Sequence, residues 1–282
     1  MFNVFFGWLL HLPLAAVLFA FALVVFEAYL WNTFINKQSL LKQSSYFTAT
    51  FYLLLFSCRP VLVSLYPSLL SSLFLILAFR SLAESYKKEK ALGDAFNAGI
   101  FTGIASLIYF PSSVFIVFLW IGLLTIRSLV WREWVISVIG FILPFGFTLA
   151  YYSVFYTPEN FWYENLIAPI SEYHKPQVPG WQQVFLLSAM AGAGLICMFY
   201  FLGKISDNGV KNQKISALMV WFVVFAVGSI ILSPQKDARS FMLLALPLSF
   251  ILANYFARTK WKIIPEFLFM LLLAVIVINI FF

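Results

Sequence analysis

Ten apolar stretches, separated by short polar gaps, fill nearly the whole chain. Windows of about 20 apolar residues, the length that crosses a bilayer as a helix, predict helices near 8–35, 46–64, 67–83, 95–109, 112–127, 134–156, 181–203, 216–232, 240–257 and 263–282. The pair 95–109 and 112–127 is short for full spans, and Phe110-Pro111-Ser112-Ser113 sits at its junction. Two crossings in a locally thinned bilayer and one shallow hairpin both fit that length. The pattern predicts an all-α polytopic membrane bundle of about ten transmembrane helices, forming one domain over 1–282.

The gaps differ in charge. Alternate gaps hold Lys37 and Lys42; Arg80, Lys87, Lys88 and Lys90; Arg127 and Arg132; Lys204, Lys211 and Lys214; and Arg258, Lys260 and Lys262, fourteen of the eighteen cations. The remaining gaps hold only Arg59, Lys175, Lys236 and Arg239. By the positive-inside rule the first set is cytoplasmic, which puts both termini outside. The net charge of +7 is thereby spread over short loops with no basic stripe. It orients the chain and gives no nucleic-acid footprint.

Composition adds weight to this reading. With 63% hydrophobic residues, 10% charged, 34 Phe and 9 Trp, the apolar surface exceeds what a soluble fold of this size hides, whereas a bilayer dissolves it. The first apolar run is too long for a signal-peptide core and has neither a basic leader nor an A-x-A site, so it is expected to stay in the mature protein. A start outside, after a short uncharged tail, is also what a chain lacking an earlier helix would show. Cys58 and Cys197 fall at different depths and read as small core residues, not a disulfide. The longest polar interval, 157–180, contains Pro158, Pro169, Pro176 and Pro179 and is expected outside, where a loop of that length is commonly functional.

Charge at depth, or clustered on the sparsely charged side, marks the candidate chemistry. Arg59, Lys236 and Arg239 are cations where cations are rare. Converged, they would make a phosphate-binding pocket at the membrane surface, Arg through its planar fork and Lys as a point charge. Snorkelling of Arg59 and a loop clamp between Asp237 and its two neighbours are the plainer alternatives. Glu159, Glu164 and Glu172, beside Phe161-Trp162-Tyr163, are candidate general bases or simply a solvated loop. His11 lies just inside the outer end of the first helix, and His174 is alone in its loop, so no metal site is expected. Glu27 and Glu266 read as lying toward the cytoplasmic ends of their helices. Glu266 pairs with Lys262 at i,i+4 spacing, whereas Glu27 is deeper, with no matched partner in the sequence, and could serve a proton path. Gly99-x-x-x-Gly103 and the pair Ala189 and Ala193 are helix-packing signals. Trp131-Arg132-Glu133-Trp134 reads as an interfacial anchor. No Walker loop, Rossmann fingerprint, zincin helix or serine elbow is present, which removes the common ATPase, dehydrogenase and hydrolase classes.

Two stretches carry resemblances. The run Asp94-Ala95-Phe96-Asn97-Ala98-Gly99-Ile100-Phe101-Thr102-Gly103-Ile104-Ala105-Ser106-Leu107-Ile108-Tyr109-Phe110-Pro111, with the Trp131–Trp134 block, resembles an uncharacterised family of Bacteroidota inner-membrane proteins. That implies an inner-membrane location, in which the outside termini of the charge pattern are periplasmic, and its members begin with an extra helix. The small-residue helix, the Pro-broken hairpin and Lys236-x-x-Arg239-x-Phe241-x-Leu243-Leu244-x-Leu246-Pro247 look like the glycosyltransferase C superfamily, whose polytopic members use polyprenyl-phosphate sugars at the outer face. The resemblance implies that Lys236 and Arg239 lie near a lipid phosphate. The chain departs from that superfamily in having no adjacent Asp/Glu pair.

The expectation is therefore a glycosyltransferase-C-like protein binding a polyprenyl-phosphate-linked sugar. Arg59, Lys236 and Arg239 would hold the phosphate, with Glu164, Glu172 or Asp237 as candidate catalytic carboxylates. The lipid donor stands as the only cofactor, and membrane lipids, a lipid-linked sugar or an envelope protein stand as partners. The alternatives are a non-catalytic scaffold of a cell-envelope assembly and a proton-coupled transporter using Glu27.

Overall fold

The computed structural model describes residues 12–41, 43–57, 65–88, 91–127, 130–155, 181–207, 209–233 and 241–259, with 266, 269, 270, 273, 274 and 277. Among the described residues there are nine α-helices and no strand. They are α1 (Pro13–Lys37), α2 (Phe47–Ser57), α3 (Pro67–Glu84), α4 (Leu92–Ile108), α5 (Phe115–Ile126), α6 (Trp131–Phe155), α7 (Trp181–Lys204), α8 (Val210–Leu232) and α9 (Met242–Arg258). Four of these, α1, α3, α6 and α8, are long and apolar enough to cross a membrane, and the other apolar helices are shorter. The short pair of the sequence reading is α4 and α5, joined by a 3-10 turn at Phe110–Val114 that carries Pro111. Most of the stretch 263–282 lies outside the described residues, but Phe269 packs its ring on Phe51 and Phe256 at 6.3 and 6.5 Å.

Each long helix is apolar all round, and burial sorts its faces. On α1, Ala20, Val24, Glu27, Ala28, Trp31 and Ile35 are buried at i,i+3/i+4 spacing, while Leu14, Leu18, Phe21, Val25 and Tyr29 are exposed. The buried faces meet in an aromatic centre. Trp31 lies edge-on to Phe79 at 5.4 Å, and Phe222 sits 5.8, 5.4 and 4.9 Å from Phe79, Phe118 and Phe115. The exposed faces are what lipid would cover.

The cation-rich gaps gather at one end of the bundle. Lys37 reaches Glu84 at 3.7 Å, Arg127 donates to the Ser85 carbonyl at 3.1 Å, Lys214 to the Ile126 carbonyl at 2.9 Å, and Asn212 to the Ser39 carbonyl at 3.0 Å. The T-shaped pair Tyr200 and Tyr255, 5.0 Å apart, sets the ends of α7 and α9 side by side. All five gaps are thereby on one side, as the alternation requires. The helix predicted from 216 starts at Val210, because its polar first turn, Lys211 to Lys214, uses those side chains to bind neighbouring loops. A hydropathy window drops such a turn.

The same end shows how α1 stops. The Ser39 and Leu40 amides donate to the Asn36 and Ile35 carbonyls, closing the helix in a Schellman arrangement. Ser39 takes the left-handed conformation (φ 51°) that glycine usually supplies, and Leu40 and Ile35 are both buried beneath it.

Candidate functional site

Glu27 is the one carboxyl among the described residues that is sealed in the middle of the bundle. It is 0% exposed and stands ten residues before the end of α1. At 1.5 Å per residue that is about 15 Å of depth, half of a hydrocarbon core of ~30 Å. The sequence reading placed it nearer the cytoplasmic end and without a partner. The depth stands, ten residues from the cation-rich end of α1 and fourteen from the other, and the missing partners come from α2 and α3, which bring two hydroxyls to it.

Tyr52, on the buried face of α2, donates to Glu27 Oε2 at 2.5 Å. Ser72, in the second turn of α3, has its hydroxyl 3.0 and 3.1 Å from the two carboxyl oxygens and 2.5 Å from the Leu69 carbonyl. Tyr52 and Ser72 are themselves fully buried. A serine hydroxyl has one hydrogen, so Ser72 faces three acceptors with a single donor. Among the described residues, no Lys, Arg or His forms an ion pair with Glu27, and the ion pairs lie at the cation-rich end. The cluster therefore holds a carboxyl group among the Tyr52 and Ser72 hydroxyls and the Leu73 backbone amide, with no cation beside it among the described residues.

Polar groups flank the cluster along α3. Ser71 shares a 2.6 Å hydrogen bond with Ser112, and Ser68 donates to Met242 Sδ at 3.2 Å. These contacts lock the first turns of α3 and α9 and the 3-10 turn together at the end opposite the cations. One turn below Glu27, Trp31 Nε1 donates to the Leu246 carbonyl at 3.0 Å, beside Pro247 inside α9. Sequence reading singled out Glu27 but missed Tyr52 and Ser72. Tyrosine in an apolar run reads as core, and Leu70-Ser71-Ser72-Leu73 reads as helix filler.

The other predicted site residues fare differently. Arg59, Glu159, Glu164, Glu172, His174, Lys175, Lys236, Asp237 and Arg239 lie outside the described residues, as do the loop 157–180, His11, Cys58 and Lys262. Cys197 is free and buried, and Glu266 is exposed. Half of the Trp131–Trp134 block turns inward. Glu133 is 3% exposed and pairs with Arg127 at 3.3 Å, and Trp134 stacks on Trp120 at 5.6 Å, whereas Trp131 is exposed. A shallow apolar groove of about 520 Å³ on α6, lined by Ile139, Ile142, Leu143, Gly146, Phe147 and Ala150, brings no polar side chain together.

A family model described as a family of unknown function (DUF6427) matches residues 5–282. No curated protein and no solved structure matches the chain.

Proposed function

Because the chain belongs to this family, whose function is unknown, we propose its function from the site alone: a multi-span membrane protein that binds and passes a proton at Glu27, as a proton-coupled carrier does. The observation that carries this reading is a fully buried carboxyl at mid-depth held by two hydroxyls and a backbone amide, with no cation beside it among the described residues. An ionisable group inside a membrane bundle is expensive to keep and is by default a functional group. A proton on the carboxyl frees the Ser72 hydrogen for the Leu69 carbonyl, and loss of that proton leaves the Tyr52 and Ser72 hydroxyls and the Leu73 amide to hold the charge. Movement of the proton then changes which hydrogen bonds tie α1 to α2 and α3, and that is the coupling a carrier needs.

The test is Glu27→Gln, which keeps the shape and the hydrogen bonds but cannot exchange a proton. In proteoliposomes carrying a pH gradient and a trapped pH dye, the wild-type protein is expected to dissipate the gradient several-fold faster than empty vesicles. The variant should match empty vesicles while unfolding at the wild-type temperature. Equal rates for the two proteins would remove the reading.

A second reading rests on a different observation, the isolation of Arg59, Lys236 and Arg239 in gaps otherwise poor in cations. It is the glycosyltransferase-C-like one, in which these residues hold a polyprenyl phosphate at the outer face of a bacterial inner membrane and Glu164 or Glu172 activates an acceptor. It predicts that native mass spectrometry of the mildly purified protein shows a bound polyprenyl-phosphate lipid. That lipid should be lost in the Lys236→Ala, Arg239→Ala double variant, and unchanged binding would end the proposal.

A further inference from the structure

The polar atoms around Glu27 differ sharply in the two directions along the bundle. Toward the end opposite the cations the α3 serines are matched: Ser72 with Leu69 and Glu27, Ser71 with Ser112, and Ser68 with Met242. Toward the cation-rich end they are not. Asn32 Oδ1, Thr48 Oγ1, Ser45 Oγ and Gln38 Oε1 are all shut off from the surface and have no hydrogen-bond partner among the described residues.

Three of these, Asn32, Thr48 and Ser45, lie along the α1–α2 pair, and Gln38 stands at the end of α1. Helices α1 and α2 run antiparallel and pack together, and Glu27 stands level with Tyr52 through their hydrogen bond. One turn nearer the cations, the level passes through Asn32 on α1 and Thr48 on α2. Below that, the Asn36 amide brackets the Ser45 backbone, donating to its carbonyl at 3.1 Å and accepting from its amide at 3.3 Å. Gln38 caps the end of α1. Asn32, Thr48 and Gln38 are 4%, 0% and 8% exposed.

Thr48 has a clear physical reason to be unmatched. Thr50, Thr102, Thr125 and Thr148 each donate to the carbonyl four residues back. Thr48 is the second residue of α2, so no helical carbonyl stands behind it. Orphaned buried oxygens are rare in folded proteins because each forfeits a hydrogen bond. Three of them along the α1–α2 pair, with Gln38 at its end, lead away from a buried carboxyl and call for a partner with both donors and acceptors. Water meets that requirement.

We propose that a file of water occupies the α1–α2 seam and connects the Glu27–Tyr52 pair to the cation-rich end alone, the serine side of α3 being closed by its own hydrogen bonds. The proposal deepens the proton reading, resting on Glu27 as the exchanging group, and it adds a side: protons reach Glu27 from the end that bears the lysines and arginines.

The experiment is hydroxyl-radical footprinting by X-ray radiolysis of the whole protein in lipid nanodiscs, with modification read residue by residue by mass spectrometry. Radicals born in internal water mark the side chains that touch it. Tyr52 is 0% exposed and Tyr152, on α6, is 1% exposed, so protection from bulk solvent is equal. Tyr52 is expected to be modified several-fold faster than Tyr152. Phe115, buried one turn from Ser112, should stay as slow as Tyr152 once intrinsic reactivity is corrected. Thr48→Val, which keeps the shape and removes the hydroxyl, should lower the Tyr52 rate several-fold. Tyr52 as inert as Tyr152 would overturn the water file, and a Phe115 rate equal to that of Tyr52 would overturn its one-sidedness. Should Thr48→Val fail to fold, the wild-type comparison decides both points. The footprint is independent of flux. Gradient dissipation that disappears in Glu27→Gln, with an inert Tyr52, keeps the carrier and sinks the file, and a reactive Tyr52 with equal dissipation by the two proteins does the reverse.

Discussion

Arg127→Ala is expected to destabilise the protein by about 3–5 kcal/mol, the range for stranding one member of a buried ion pair. Arg127 follows the last residue of α5. Its guanidinium reaches Glu133 at 3.3 Å in the first turn of α6 and the Ser85 carbonyl at 3.1 Å just past α3. The Arg127 side chain is 12% exposed and that of Glu133 is 4% exposed. Removing the arginine leaves a carboxylate that water scarcely reaches and a carbonyl with one bond fewer. The start of a helix gives Glu133 some residual support, but only a fraction of what is lost. Glu133→Ala should cost less, because Arg127 keeps Ser85 and has an edge in water. Arg127→Lys should fall between, since an ammonium cannot bridge a carbonyl and a carboxylate with a planar fork. The double variant Arg127→Met, Glu133→Leu should regain most of the loss, as apolar replacements of buried pairs commonly do. Unfolding in detergent, followed by circular dichroism, checks all four. A loss under about 1 kcal/mol for Arg127→Ala would place the pair with surface salt bridges.

That node shows what the sequence discloses and what it conceals. Charge alternation and apolar run length come from the solvent on each side of the helix, so they are local. The cation-rich end and, to within three residues, most boundaries of the described helices could be read from them. Glu133 looked like an interfacial anchor because its neighbours Trp131, Arg132 and Trp134 are interfacial types. Its pairing with Arg127 depends on how α5 and α6 meet, which no local pattern records. Glu27 was visible as a charge within an apolar run. Its partners were not, because Tyr52 and Ser72 become partners only through the antiparallel packing of α2 and α3 around α1. The orphaned Thr48 is legible only once the start of α2 is fixed at Phe47. The glycine spacing of α4 was the exception, since close approach demands small residues at fixed intervals whatever the partner.

The second large effect is a sign contrast within a single helix. Gly140 and Gly146 both lie in α6, where alanine ordinarily favours the helix by about 1 kcal/mol over glycine. At Gly140 a methyl group would stand 2.5 Å from the Phe96 carbonyl oxygen and 3.1 Å from the Ile100 amide nitrogen of α4. From the other side, a methyl on Gly103 would meet the Phe141 carbonyl at 2.5 Å, and one on Gly99 would collide with the Ser137 carbonyl. The contacts are backbone on both sides, so no rotamer change relieves them and the helices must separate. Gly140→Ala is therefore expected to cost ~3 kcal/mol, the upper part of the range for overpacking, with Gly99→Val at least as severe. Gly146 faces outward, with nothing within 4 Å. There the same methyl meets only what surrounds the bundle, and Gly146→Ala should be neutral or stabilising by up to ~1 kcal/mol. Thermal unfolding of both variants in one detergent settles the matter. If the two changes had the same sign, the α4–α6 contact would not be the glycine-lined seam that the Gly99-x-x-x-Gly103 spacing and the backbone distances describe.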